Sequence, residues 1–163
     1  MLFNFNAAEI FDVAIKIEEN GKKFYDAATQ MVDNKEVKEL FADLGAQEIE
    51  HKAKFKALRD ELPASASTPT VFDANNELDA YLKAMADQHV FVTSEGVDKQ
   101  LAAVKDVRSA IKLAMTFEKD SIIFFLTVQD ATEGHKGKSM INALVKEEQE
   151  HLRRLALHLS KLR

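Results

Sequence analysis

The sequence predicts an all-α protein, a four-helix bundle whose second and third helices are joined by one long crossover. Three observations predict it. The 163 residues include only five Gly and two Pro, so few positions break a helix and many-turned β architecture is disfavoured. Apolar residues recur at three- and four-residue intervals over four long segments, the signature of helices that bury one face. The connections between those segments run short, long, short, which joins two helical hairpins.

The first long helix is predicted over residues 7–32, where Ile10, Phe11, Ala14, Ile17, Phe24, Ala28 and Met31 share a face. Asn6 suits the N-cap and Glu9 the return partner of a capping box. Gly21 weakens the helix locally or marks a close approach of backbones. After the turn residues Asp33 and Asn34, the second helix spans 35–62 with Val37, Leu40, Phe41, Leu44, Phe55 and Leu58, and Pro63 stops it. Residues 63–70 hold both prolines among small polar residues and read as a linker. Between 76 and 103 two weaker helical patterns appear, Leu78, Tyr81, Leu82 and Met85, then Val97, Leu101 and Val104. The third long helix covers 106–131 with Ile111, Leu113, Ala114, Phe117, Phe124, Phe125 and Val128. Gly134 and Gly137 bracket a turn, and the fourth helix runs over 138–162 through Ile141, Leu144, Val145, Leu152, Leu155 and Leu159.

The length suits one domain with a single core, organised as hairpin 7–62, crossover 63–105 and hairpin 106–162. Such a crossover is too long for a hairpin loop and lets the second and third long helices run the same way. A net charge of -5 without any Lys/Arg block argues against nucleic-acid binding. With no cysteine, disulfides, thiolate metal sites and iron–sulfur clusters are excluded. The first residues lack the basic and apolar regions of a secretory signal. The densest apolar stretch, 121–128, is too short to span a bilayer. A cytoplasmic protein without membrane attachment is the expectation.

The two hairpins repeat. A gapless shift of one hundred positions superposes Ala14 on Ala114, Glu18 on Glu118, Phe24 on Phe124, Leu44 on Leu144, Glu48 on Glu148 and His51 on His151. Each half therefore carries one Glu on its first helix and a Glu-x-x-His on its second. Three helical residues turn the chain through about 300°, so the Glu and His of each motif share a face. Neighbours Ala14, Ile17, Leu44, Phe55, Leu144 and Leu155 put that face inward. Buried without partners, six ionisable groups would be prohibitively costly. Two divalent cations balance four carboxylates, and oxygen plus imidazole donors suit iron, manganese or zinc.

A single Glu-x-x-His is weak evidence. With 15 Glu among 163 residues, a given His has about a one-in-eleven chance of a Glu three places earlier. Taken alone, Glu18 and Glu118 would read as solvated helix residues. The repeat lifts all six together, and Glu18, Glu48, His51, Glu118, Glu148 and His151 are the expected metal ligands. Glu19, Glu50, Glu147 and Glu150 fall off the inner stripe and read as surface charges, and His89, His135 and His158 as surface or boundary residues. The Phe and Met positions read as core. Tyr25, two turns after Glu18, reads either as a group reaching the metal or a ligand, or as an ordinary buried Tyr.

The ligand pattern, the connectivity, and the stretch Ile15-Lys16-Ile17-Glu18-Glu19-Asn20-Gly21 through Phe24-Tyr25 resemble the di-iron domain of the rubrerythrin family, within the ferritin-like superfamily. The resemblance covers the four long helices. It implies two iron ions, with Glu18 and Glu118 as terminal carboxylates, Glu48 and Glu148 as bridges, and His51 and His151 capping one iron each. It further implies reduction of hydrogen peroxide, or of dioxygen, or oxidation of ferrous iron. Members of the family usually carry another ligand Glu where this chain has Ser121, which implies a more symmetric site of ferritin type. Phe125 lacks a hydroxyl, so any tyrosine role rests on Tyr25. Without cysteine no rubredoxin domain is expected, and electrons would come from a separate donor protein. A homodimer is expected. Three functions follow: a di-iron oxidoreductase, a ferritin-like ferroxidase or iron-handling protein, or a structural bundle with a metal staple.

Overall fold

The computed structural model describes residues 7–62, 77–132 and 134–162. They form helices α1 (Ala7–Met31), α2 (Lys35–Asp60), α3 (Glu77–Gln88), α4 (Ser94–Ala102), α5 (Val107–Ala131) and α6 (His135–Lys161). The all-α bundle predicted from the sequence is the observed fold. The predicted Asn6 cap and the 63–76 segment with both prolines lie outside the described residues.

Local chemistry sets the helix ends. Asn34 caps α2, its side-chain oxygen accepting from the Val37 amide at 3.0 Å. Asp106 begins α5 with a capping box: its carboxylate accepts from the Ser109 amide at 2.7 Å, and Ser109 Oγ accepts from the Asp106 amide at 3.0 Å. Helix α6 starts at His135 rather than at Lys138. Gly134 adopts φ 85°, a conformation only glycine takes without strain. The first turn closes at once, with the Lys138 amide donating to the Gly134 carbonyl at 3.2 Å. Gly137 therefore lies inside the helix, not in the turn.

Helix α1 packs along α2 and α5 along α6, with α1 against α5 and α2 against α6 to close the bundle. The three-residue connection Val32-Asp33-Asn34 makes the first pair antiparallel. The crossover helices lie outside, α3 against α5 and α4 against α1. Two aromatic groups fill much of the core. Phe24, Tyr25, Phe41, Phe91 and Phe117 pack together with ring centroids 4.8–6.2 Å apart. Phe55 contacts Phe11 at 6.4 Å and Phe125 at 4.6 Å. Each such side chain contributes about 1.5–3 kcal/mol by leaving water. Met31, expected on the inner stripe, is instead exposed, and the next residue, Val32, is buried. Gly21 marks the approach of a ring, not of a backbone, since a Cβ there would collide with Phe117. Among the described residues, no helix is long and apolar enough to cross a membrane.

Candidate metal centre

The stripe on α2 that buries Phe41, Leu44, Phe55 and Leu58 also buries Glu48 and His51. On α6 the stripe with Ile141, Leu144 and Leu155 likewise buries Glu148 and His151. Helices α1 and α5 add Glu18 and Glu118, so all six sequence-predicted residues are buried in the interior.

They converge. Two groups of donor atoms form, Glu18, Glu48, His51 and Glu148, and Glu48, Glu118, Glu148 and His151, each with its atoms within 4.8 Å of one another. His51 Nδ1 lies 2.7 Å from Glu148 Oε1, 3.6 Å from Glu18 Oε2 and 3.8 Å from Glu48 Oε2. His151 Nδ1 lies 3.2 Å from Glu148 Oε2, 3.5 Å from Glu118 Oε2 and 3.6 Å from Glu48 Oε1. The two imidazoles stack, centroids 5.3 Å apart. Glu48 and Glu148 belong to both groups, the placement a bridging carboxylate needs.

Electrostatics define the cluster further. Both oxygens of Glu18, Glu48 and Glu148, Glu118 Oε2 and the two Nδ1 atoms are buried without a hydrogen-bond partner. Unmet polar groups of this kind each cost about 1–3 kcal/mol, so a cluster of them calls for a ligand. Burial and neighbouring negative charge hold Glu18 and Glu48 well above the usual carboxylate range. Burial and the Glu148 charge push Glu118 up to about 8. At Glu148 burial acts upward too, but contacts with His151 and His51 outweigh it and hold this carboxyl low. Burial depresses both imidazoles, yet the surrounding carboxylates win, raising His51 to about 9 and His151 to about 10. Five of the six groups are thus shifted toward their protonated forms, as a site short of positive charge requires. The donor set of carboxylate oxygens and imidazole nitrogens around a charge-deficient centre fits two divalent ions.

Tyr25 is fully buried and donates its hydroxyl to Glu118 Oε1. Its partner belongs to the opposite half of the repeat, not to Glu18 on its own helix. Burial and the nearby carboxylates keep the phenol protonated.

Three residues that the sequence left aside also border the site. Glu147, read as a surface charge, is half-buried and sits 2.8 Å from His51 Nε2. Gln47 accepts from His151 Nε2 at 3.0 Å. They occupy the same repeat position beside the shared Glu48 and Glu148, the one signal that pointed to them. His89, read as a surface or boundary residue, is buried. Its Nδ1 accepts from the Phe91 amide at 3.1 Å, so Nε2 carries the proton and donates to Ser121 Oγ at 3.1 Å. Burial lowers this imidazole to about 3 and keeps it neutral. Asn20 Nδ2 donates to the Phe91 carbonyl at 2.7 Å, and Asp120 Oδ2 accepts from the Val90 amide at 3.0 Å. Residues 89–91 of the crossover are thereby stitched to α1 and α5, over separations that no helical period encodes.

Two pairs of long helices, one crossover and paired Glu and Glu-x-x-His motifs converging in the core define a ferritin-like carboxylate bundle. Residues 9–159 match the family model described as Rubrerythrin. The chain belongs to the rubrerythrin family, as the resemblance read from its motifs implied. Its fold is similar to that of a ferritin-like diiron-carboxylate protein from Thermotoga maritima, solved by crystallography at 2.30 Å resolution. The TM-score is 0.74 over 99% of each chain, with 23% sequence identity, a likeness that speaks for fold. No curated protein matches the chain in sequence.

Proposed function

We propose that this chain is a di-iron carboxylate oxidoreductase that reduces hydrogen peroxide, or dioxygen, with electrons from a separate donor protein. The observation that carries the reading is the set of buried oxygens and Nδ1 atoms without partners, arranged as two groups sharing Glu48 and Glu148. Glu18 and His51 would serve one ion, Glu118 and His151 the other, and Glu48 and Glu148 both. Two ferrous ions, when bound, supply together the two electrons that cleavage of the peroxide O–O bond requires, with two protons consumed and two waters formed.

The protein's own groups position and balance. Four carboxylates neutralise two divalent charges in a site from which solvent is excluded, since all four are fully buried. Tyr25 holds one Glu118 oxygen in place and remains a proton donor at neutral pH. Manganese or zinc would suit the same donors, but zinc cannot supply electrons. The test is anaerobic ferrous loading followed by peroxide or oxygen in stopped flow. We expect two ferrous ions oxidised per peroxide, faster than free ferrous ion. A rate equal to that of the free ion refutes the proposal.

The second reading is a ferritin-like ferroxidase that passes on or stores iron. Ser121 favours it, because without a further carboxylate at that position the six donors match across the repeat. Storage requires a closed shell, so a large iron-filled assembly on a sizing column supports storage, whereas the homodimer we expect argues against it.

A further inference from the structure

The six inward donors match across the repeat, but the groups behind them do not. His51 Nε2 faces Glu147 Oε2 at 2.8 Å, and Lys54 Nζ grips both Glu147 oxygens at 2.8 Å. His151 Nε2 faces the Gln47 carbonyl oxygen at 3.0 Å. The Gln47 amide then donates to Asp43 Oδ2 at 3.0 Å, and that carboxylate accepts from Arg154 at 2.7 Å. Glu147 and Gln47 are equivalent positions of the repeat, as are Lys54 and Arg154. One imidazole thus meets a carboxylate directly. The other meets a neutral amide, with its carboxylate one link further out.

Each Nε2 faces an oxygen that can only accept, so it carries a proton and donates outward, while Nδ1 points into the cluster. A carboxylate accepts that hydrogen bond more strongly than an amide and makes the imidazole a better electron donor at Nδ1. A separate difference acts in the same direction. Tyr25 donates to Glu118 and draws charge from it, whereas its repeat counterpart Phe125 has no hydroxyl to offer Glu18, whose two oxygens have no hydrogen-bond partner. Both differences favour the Glu18–His51 side.

Resting on the two-metal reading above, we propose that the two metal positions are unequal: the one served by Glu18 and His51 binds its ion more tightly and fills first. Glu147 is the positioning residue that sets this order, acting through His51, and Gln47 is its weaker counterpart. Lys54 holds the Glu147 carboxylate in place and damps its charge, and Arg154 does the same for Asp43 on the other side.

The experiment is a titration of the metal-free protein with cobalt(II) under argon. Proton NMR would follow the hyperfine-shifted Nε2–H signals of His51 and His151, assigned with His51→Ala and His151→Ala. We expect two cobalt ions per chain, the first shifting the His51 signal, with stepwise affinities about 10–100-fold apart. Glu147→Gln should close the gap by weakening the first step, and Gln47→Glu should close it by tightening the second. A merely structural role for Glu147 would weaken both steps alike and overturn the proposal. Simultaneous filling, or His151 responding first, overturns it too while leaving the two-metal reading intact. Failure to take up two ions overturns both.

Discussion

Replacing Tyr25 by Phe isolates one buried hydrogen bond. The ring is fully buried against Phe24 at 5.1 Å, Phe41 at 5.7 Å and Phe117 at 6.1 Å, and phenylalanine keeps those contacts. What is lost is the hydroxyl donated to Glu118 Oε1, which leaves a carboxyl whose other oxygen already has no partner. The size of the loss depends on the charge of Glu118. Burial and the Glu148 charge push it up to about 8, so at pH 6 the metal-free protein holds it protonated and the bond is neutral. Such a bond is worth about 1 kcal/mol, rising to about 1.5–3 kcal/mol when the acceptor is charged.

Metal-free Tyr25→Phe should therefore melt about 2–4 °C below the parent at pH 6 and about 3–12 °C below it at pH 9, using about 2–4 °C per kcal/mol for a chain of this size. Tyr25 itself stays protonated across that range, since burial holds it well above its ordinary value. The assay is calorimetry or urea unfolding of parent and variant at both pH values. A loss under about 0.5 kcal/mol at both, against the roughly 1 kcal/mol expected of a neutral bond, refutes the reasoning. So does a loss no larger at pH 9 than at pH 6.

The whole cluster makes a related prediction. Glu118 titrates near 8, His51 near 9 and His151 near 10 in the folded chain, each above its unfolded value, so the folded state binds more protons through this range. Their stabilisation is complete at low pH and is lost as pH rises, so the metal-free melting temperature should fall from pH 6 to 10; a flat or rising profile contradicts this. Metal should reverse the deficit: two sites at one hundred times their dissociation constants contribute about 5 kcal/mol, or about 10–20 °C, checked by melting with and without manganese(II). Glu148→Gln removes a donor common to both groups, so the metal content retained after desalting should fall from two per chain to less than one. Gly21→Ala places a methyl into the Phe117 ring. Overpacking of about 1–3 kcal/mol should outweigh the roughly 1 kcal/mol gained in helix propensity, and urea unfolding would show the net loss.

Much of this protein was legible before its structure. The four long helices could be read because each buries an apolar stripe at helical spacing, and the stripe is a local property of the chain. The six inward donors were legible for the same reason, reinforced by the repeat. Residues whose partners lie on other elements were harder to read. His89 comes from the crossover and meets Ser121 on α5, and Asn20 meets the Phe91 carbonyl 71 positions away. Neither pairing leaves a periodic trace.

Periodicity and repetition by themselves determined the helices, their order and the Glu and His positions, because an amphipathic helix writes its buried face into a fixed spacing. Only the tertiary structure decided which half Tyr25 serves, that Glu147 backs His51 while Gln47 backs His151, and that His89 is buried. Those outcomes depend on the rotation and register of one helix against another, which packing of whole side chains sets and no interval along a single helix records.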